Sequence, residues 1–243
     1  TFTIEGNNTI DAKAFQISQS INEHHTFEVV TESELLKKGS SLESPFMDNV
    51  SSTKTYVGKS ITIVMKLTGT NGNGTKFKGL ITDVVVSLGI DGGEDITIKG
   101  YSPTILLDNN KGMKMFQQMS CRDIINKVMN PIPSNLLTKD ISPKNKTVFT
   151  NMVQYHESDF EFIRRMAAEN GDWFYYDGEK LQFGEPGGIN TVSQKKKKTL
   201  LDFSSHMGIT PLGMEESQYE LTKKEFLADS KKTIPGLDTW GTD

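Results

Sequence analysis

The sequence predicts a mainly β protein, with antiparallel strands in a barrel or sandwich and a small α+β unit inserted in its middle. Alternating apolar and polar residues recur in short segments of the first hundred residues, and Asn-Gly or Asp-Gly turns separate several of them. Between residues 120 and 170 the apolar period changes twice to that of a helix. An aromatic hairpin follows the second helical pattern.

Residues 1–105 are predicted to form a first β-barrel. Ile61, Ile63 and Met65 alternate with more polar residues, as in a strand with one buried face. Asn71–Gly74 then supplies residues that tolerate positive φ, so we expect the chain to reverse there. The predicted elements are strands at Phe15–Ile21, Phe27–Val30, Tyr56–Leu67, Phe77–Leu88 and Asp95–Tyr101, with a capped helical turn at Ser33–Gly39.

Residues 106–188 are predicted to form an α+β domain with two helices. The first helix, near 120–130, has an apolar stripe and ends before two prolines. The second, near 158–170, begins with a capping box in which Ser158 and Glu161 each satisfy a free backbone N–H group. The other expected elements of this domain are a loop at Asp140–Thr147, a strand at Val148–Tyr155 and a hairpin at 173–183.

Residues 189–243 have a weaker pattern and are expected to be the start of a second, incomplete β-barrel. Strands are predicted at Leu200–Phe203 and Glu216–Phe226. The sequence starts without Met and stops at Asp243 without a closing element, so we expect a portion of a longer protein.

Composition excludes several classes of protein. Lys and Arg number 27 against 31 Asp and Glu, a net charge of −4 that argues against a protein built to bind nucleic acid. Cys121 is the only cysteine, so neither an intrachain disulfide nor a Cys-rich zinc module can form, and folding in a reducing cytoplasm is feasible. No apolar run is long enough for a membrane-spanning segment.

The histidines do not have the spacing of a metal site. His24 and His25 are adjacent in a predicted strand, so their side chains should point to opposite faces and remain surface histidines. His156 lies beside Glu157 and Asp159 without any zinc-binding spacing, and His206 stands alone. We therefore expect no metal and no cofactor.

The sequence contains no recognisable catalytic motif. Cys121 begins a predicted helix, which would lower the pKa of a thiol, but the sequence places no histidine beside it. Glu157 and Asp159 could act as a glycosidase pair, although acidic residues are favoured at the N-terminus of any helix. No catalytic, cofactor-binding or metal-ligating residue is therefore assigned, and the protein is expected not to be an enzyme.

Three further segments allow a binding role or a structural one. The glycine-rich turns at 71–74 and 91–93 join strands and precede no helix, unlike phosphate-binding loops. Lys195–Lys198 could contact phosphate or an acidic partner, but such a run is typical of a solvated edge. Trp173–Tyr176 could stack on a sugar or a base, although half of such a strand normally faces a core. A structural or binding role is favoured.

The segment Gln154–Gly171, followed by Trp173–Tyr176, resembles the signature of VgrG proteins, the spike and hub proteins of type VI secretion systems. The shared pattern is Gln-Tyr-x-Glu-Ser-Asp, a helix with paired arginines, then glycine and an aromatic strand. Phe77–Thr82 resembles a further strand of that family. Met115–Gln117 and Ser120–Val128 together resemble another of its segments. The resemblance covers about residues 2 to 185.

The resemblance implies two phage-tail-hub-like antiparallel β-barrels with an α+β domain, assembled as a homotrimer. Six barrels in a ring would match a hexameric inner tube, and the hub would transmit the force of contraction to the spike. Its other partners would be baseplate proteins and an effector or spike-tip protein. Such a hub would assemble in the bacterial cytoplasm and then be secreted or injected.

Two alternatives remain open from the sequence. The chain could be the baseplate hub of a prophage or of another contractile injection system. A function of another class is a carbohydrate-binding module or glycosidase that uses Trp173–Tyr176 and the nearby carboxylates. Packing of these aromatic residues against the second helix would weigh against the latter.

Overall fold

The computed structural model describes residues 1–6, 9–32, 55–66, 74–88, 93–108, 111–187, 214–220 and 223–231. The chain divides into two compact units, residues 1–189 and 190–243, which are described separately. Among the described residues, no helix has both the length and the apolar character needed to cross a membrane. The predicted helical turn at 33–39, the strand at 200–203, Lys195–Lys198 and His206 lie outside the described residues.

A six-stranded antiparallel sheet forms the first part of the larger unit. Its strands are β1 (Phe2–Ile4), β2 (Ala14–Ser18), β3 (Thr26–Glu32), β4 (Ser60–Met65), β5 (Thr75–Leu88) and β6 (Glu94–Tyr101), in the spatial order β1-β4-β5-β6-β3-β2. Phe2 and Ile10 exchange two backbone hydrogen bonds of 2.8 Å, which join β1 to the chain that enters β2. The sheet therefore curls until its two edges meet at one end, and the mainly β fold class is confirmed.

Glycines allow a large ring to lie over the concave side of this sheet. A Cβ atom at Gly79 or Gly100 would overlap the ring of Phe27, which is itself buried. Ile61 and Ile63 are buried on β4, as their alternation predicts. Five of the six strands, β1 and β3 to β6, bury apolar side chains on one face, and curling the sheet brings these faces together.

The second part of the same unit contains both helices. Its elements are a 3₁₀ helix (Pro103–Asp108), β7 (Gly112–Ser120), α1 (Cys121–Met129), β8 (Thr138–Ser142), β9 (Val148–Glu157), α2 (Asp159–Asn170), β10 (Trp173–Tyr176) and β11 (Lys180–Gly184). β7 and β9 pair as an antiparallel ribbon, whereas β10, β11 and β8 form a mixed sheet in which β8 runs parallel to β11. Both helices and the hairpin occupy the ranges expected from the sequence.

Two sequence expectations in this part were wrong. The predicted loop at 140–147 begins with a strand, because Thr138–Ser142 pairs along its whole length with β11. Only Ile141 of that strand is buried, so the sequence shows no alternation of apolar and polar residues there. The strand is stabilised by its pairing with β11, which the local sequence does not reveal. Gly112–Ser120 was not predicted as a strand, because methionines on its exposed face disturb the alternation.

The six-stranded sheet and the α+β part share one core. Lys78 donates its backbone N–H to the carbonyl oxygen of Gly178 at 2.7 Å, and the Tyr176 hydroxyl donates to the carbonyl oxygen of Lys78 at 3.2 Å. The rings of Phe77 and Tyr176 meet edge to face at 6.1 Å. A boundary between two domains at residues 105 and 106 stays a prediction, since this unit is compact as a whole.

The smaller unit contains one described hairpin, β12 (Met214–Glu220) and β13 (Glu225–Lys231), paired antiparallel in full register. The single strand predicted at Glu216–Phe226 was therefore wrong. Lys224 adopts the left-handed conformation with φ of 55°, which lets the chain reverse at that point. That residues 189–243 begin a second barrel stays a prediction.

Candidate functional site

The N-terminus of α2 is the centre of the segment Gln154–Gly171. The Ser158 hydroxyl oxygen accepts from the Glu161 N–H at 3.1 Å, and a Glu161 carboxylate oxygen accepts from the Ser158 N–H at 2.8 Å. This reciprocal pair is the predicted capping box and is confirmed. Gly171 ends the helix at φ of 65°, a conformation that glycine adopts without steric cost.

Ser158 also connects the helix to the end of the 3₁₀ helix. Its hydroxyl donates to one carboxylate oxygen of Asp108, and the other oxygen lies 2.9 Å from His24 Nε2. Burial alone would raise the pKa of Asp108, but the hydrogen bonds from Ser158 and His24 outweigh it and lower that pKa. The cap of α2 is thus part of a polar network and not an isolated turn.

Glu157 and Asp159 are both bound to cations. Arg165 donates from Nη2 to Glu157 Oε1 at 2.7 Å and from Nε to Oε2 at 3.2 Å, and these bonds lower the pKa of Glu157. Lys114 Nζ lies 2.8 Å from Asp159 Oδ1. These two ion pairs fix α2 against β7 and β9, in addition to the expected role of the carboxylates at the helix N-terminus. Because both carboxylates are bound to cations, they do not form a free acid–base pair.

Gln154 is fully buried and joins the same cluster. Its amide donates to Asp159 at 2.7 Å and to the carbonyl oxygen of Glu157 at 3.1 Å. Sequence reasoning had given this residue no role apart from its place in the signature. The geometry gives one: the Gln154 amide holds the chain between β9 and α2 at the bend where His156 adopts a left-handed φ of 53°.

The adjacent histidines depart from the sequence interpretation. They precede β3 and do not lie within a strand. Their rings still point in different directions: His24 contacts the ring of Phe160 at 3.9 Å between centroids, and His25 contacts Tyr176 at 5.7 Å. His25 is buried, so the expectation of two surface histidines was wrong, because the α+β part covers this end of the sheet.

Cys121 is a core residue. It is fully buried at the start of α1, and burial raises the pKa of its thiol to about 12. The expected influence of the helix N-terminus on the pKa is overcome by desolvation, so the thiol stays protonated near neutral pH. This agrees with the interpretation of Cys121 as a small apolar side chain.

The aromatic strand faces the core with half of its side chains, as predicted. Phe174 and Tyr176 are buried, and the ring of Phe174 lies 5.0 Å from that of Phe160 on α2. Trp173 remains partly exposed and Tyr175 is half-buried. Phe174 thus packs against the second helix, whereas Tyr176 packs against Phe77 and His25, so this strand is not an open sugar-binding platform.

Metal chemistry finds no support in the part of the chain that the structure describes. No group of three or more His, Cys, Asp or Glu side chains there is close enough to hold an ion. His156 is exposed on β9, and His24 is engaged by Asp108 and Thr104. These residues therefore make no metal centre with one another.

An exposed apolar face lies on the β7–β9 ribbon. Met113 pairs with Tyr155 and Met115 with Val153 across the two strands, so all four side chains project on one side. The exposed fraction is 73% for Met113, 69% for Tyr155, 61% for Met115 and 39% for Val153. We name these four residues the ribbon face. Contiguous apolar surface of this kind marks a site of contact with another molecule.

Removing the Ser158 hydroxyl is expected to destabilise the protein. Ser158→Ala should lower the free energy of unfolding by about 0.5–2 kcal/mol, because the Glu161 N–H loses its acceptor and Asp108 loses a donor. Chemical denaturation followed by circular dichroism measures the change. Ser120→Ala removes the exposed cap of α1 and should cost less. A loss below about 0.2 kcal/mol in Ser158→Ala would contradict the capping role.

Comparison with solved structures gives the same fold. The c3393 protein of E. coli, described as a component of the type VI secretion system, aligns with a TM-score of 0.59 at 13% identity, over 91% of this chain and 56% of that one. The tail protein of Neisseria meningitidis MC58 aligns with a TM-score of 0.60 at 11% identity, over 96% and 67% of the two chains. The 43 kDa tail protein of prophage MuSo2 from Shewanella oneidensis aligns with a TM-score of 0.55 at 14% identity, over 75% and 52%.

The chain spans just over half the length of the E. coli and Shewanella proteins. No curated protein sequence matches it. The model of the family described as phage tail baseplate hub (GPD) matches residues 47–202. Because this match covers more than half of the 243 residues, the chain belongs to the phage tail baseplate hub (GPD) family, and the hub-like interpretation of the sequence is confirmed.

Proposed function

We propose that this chain is the structural hub of a type VI secretion spike. In this role it adapts a hexameric inner tube to a trimeric spike and passes on the force of contraction during effector delivery. The family match over residues 47–202 is the observation that carries the proposal. The similarity in fold to the c3393 protein supports the assignment to a secretion apparatus.

The internal construction of the larger unit suits a part that bears load. Every strand of the six-stranded sheet is hydrogen-bonded to a neighbour, and the sheet and the α+β part are joined through backbone hydrogen bonds at Lys78 and Asn22. Deforming such a unit would break ladder hydrogen bonds and open a packed core. Transmission of force requires this stiffness and requires no reacting group, in keeping with a family and relatives that are tail and hub proteins.

The proposed assembly is a homotrimer, in which one surface of each copy repeats around a threefold axis. Residues 189–243 would contribute the start of a second barrel, so that three chains supply a ring of barrels. The inner tube protein, baseplate proteins and an effector or spike-tip protein are the proposed partners. Assembly would take place in the bacterial cytoplasm, and injection by the contractile apparatus would follow.

The mass of the protein in solution tests the trimer. Light scattering over a concentration series is expected to give about three times 27.1 kDa. We place the ribbon face at the contact between copies, so Met115→Asp should shift the mass toward that of one chain. Leu88→Asp, at an exposed apolar site on β5, is the matched control and should leave the mass unchanged. Dissociation by the control alone would contradict the assignment of the ribbon face.

A prophage baseplate hub is a second candidate function. The Neisseria and Shewanella tail proteins have the same fold, which favours this candidate as much as the E. coli protein favours the first. Binding to purified tube proteins discriminates between them. The proposed function predicts capture of a type VI inner tube protein, whereas a prophage hub should bind a phage tail tube protein instead.

A carbohydrate-binding module or glycosidase has less support. Its candidate carboxylates, Glu157 and Asp159, are held by Arg165 and Lys114. Phe174 and Tyr176 lie in the core, which leaves Trp173 as the exposed ring of that strand. These contacts stabilise the fold around α2 and favour a structural role for the signature.

A further inference from the structure

His24 and His25 lie where the six-stranded sheet meets the α+β part. The ring of His24 packs on Phe160 of α2, with 3.9 Å between the centroids. The ring of His25 turns the other way, toward Tyr176 of β10 at 5.7 Å and Phe77 of β5 at 6.4 Å. Two neighbouring residues of one loop therefore contact both a helix and a sheet of the α+β part. We name this contact the histidine joint.

The hydrogen bonds of His25 fit a neutral ring. Its Nε2 lies 3.1 Å from the carbonyl oxygen of Ser20, which can only accept, so Nε2 carries the hydrogen. Its Nδ1 lies 3.2 Å from the amide nitrogen of Gln19, which can only donate, so Nδ1 accepts. A second ring proton, on Nδ1, would face this donor and break the bond unless the Gln19 amide turned over.

A series of hydrogen bonds connects His25 to the cap of α2. The His25 N–H donates to Ser102 Oγ at 3.0 Å, and Ser102 and Thr104 share a hydroxyl contact of 2.6 Å. Thr104 Oγ1 lies 2.9 Å from His24 Nδ1, and His24 Nε2 lies 2.9 Å from Asp108. Asp108 then accepts from the N-cap serine of α2. The loop that carries His25 is thus tied to the 3₁₀ helix and, through Asp108, to α2.

The surroundings of His25 disfavour a charged ring. Burial lowers its pKa, and the neighbouring His24 acts in the same direction, while the Ser20 carbonyl and Asp177 oppose the shift. β10 presents Tyr176 to this site, Asp177 follows directly after that strand, and β5 presents Phe77. On β5 the flanking lysines 76 and 78 occupy positions that alternate with Phe77 and project from the other face.

We propose that the histidine joint is acid-sensitive, so that uptake of a proton by His25 loosens the contact between the six-stranded sheet and the mixed sheet. When the contact opens, the ring reaches water and regains its ordinary pKa, near 6.5. The open state then binds more protons than the closed state at pH values between the lowered pKa and about 6.5. Opening is therefore favoured as the pH falls through that interval, by up to about tenfold per pH unit, and is unaffected well above it.

Two backbone amides report directly on this contact. Lys78 donates to Gly178 at 2.7 Å and Asn22 donates to Phe174 at 3.3 Å, so both bonds cross the joint. Hydrogen exchange of the 243-residue chain at pH 7.5 and pH 5.5 should give protection factors for these amides that are lower at pH 5.5, by at most about tenfold. Amides in the central strand β6 should keep their protection. An equal fall throughout the sheet, or no fall at the joint, would overturn the proposal.

Two variants assign the effect to one ring. Gln19→Glu alters an exposed residue and places a carboxylate against Nδ1, which favours the protonated ring in the closed state. We expect the change to shrink below about twofold in this variant. His24→Gln should lower the protection of the joint at both pH values and keep the pH dependence. Persistence of the full change in Gln19→Glu, or its loss in His24→Gln, would overturn the assignment to His25.

Discussion

Replacing Phe162 by alanine is expected to lower the free energy of unfolding by about 3–5 kcal/mol. The side chain is fully buried, and its ring stacks on that of Phe116 from β7 at 5.6 Å with an interplanar angle of 10°. The guanidinium of Arg165 lies 5.3 Å from the centre of the same ring. Truncation would therefore leave a cavity between α2 and the β7–β9 ribbon and remove the surface on which Arg165 rests.

Phe15→Ala is the matched control for this experiment. Phe15 has the same side chain on β2, but about half of its surface is exposed to solvent. Its truncation should cost less than about 1 kcal/mol, because little apolar area returns to water. Chemical denaturation of both variants measures the difference. A loss below about 2 kcal/mol for Phe162→Ala would show that the ribbon does not cover α2 as the structure has it.

The sequence predicted the elements whose signals are local. Ser158 with Glu161 and the final Gly171 mark the ends of α2 within fourteen residues, and the structure contains these caps. The alternation around Ile61 and Ile63 likewise identifies β4 without any knowledge of its neighbours. Helix caps and apolar periodicity depend only on residues that are close in the chain, so a single sequence is enough to predict them.

Elements that depend on distant partners could not be predicted in this way. Thr138–Ser142 is a strand because β11 pairs with it in parallel, about forty positions away in the chain. Phe162 of α2 is buried against Phe116, which lies on β7 more than forty positions earlier in the chain. The same limit applies to His25, whose burial comes from Tyr176 on a later strand.

The capping box at the start of α2 was predicted from the sequence, but the other contacts of the signature residues needed the structure. The sequence assigned Ser158, Glu157 and Asp159 to the helix terminus. It could not show that Arg165 and Lys114 bind the two carboxylates. Nor could it show that Gln154 donates to the Asp159 carboxylate and to the backbone carbonyl oxygen of Glu157. Pairing of charged side chains depends on which strands pass beside the helix, and this is a property of the tertiary fold.

The mixed sheet provides the second large expected effect, at Gly184. Gly184→Ala should lower the free energy of unfolding by about 2–5 kcal/mol. The residue has φ of 117°, which an L side chain rarely adopts, and an added Cβ would overlap the carbonyl oxygen of its partner Ser142 on β8. The strand would have to move away from β8 to relieve that overlap, so the parallel pairing itself should weaken.

Gly187→Ala separates this steric effect from the general effect of adding a methyl group. Nothing lies within 4 Å of a Cβ at Gly187, so we expect a change of less than about 0.5 kcal/mol there. Denaturation measures both variants, and hydrogen exchange in β8 locates the damage. If Gly184→Ala were as mild as the control, β8 could not be pressed against β11 at Ser142. The pairing that turned a predicted loop into a strand would then lose its physical basis.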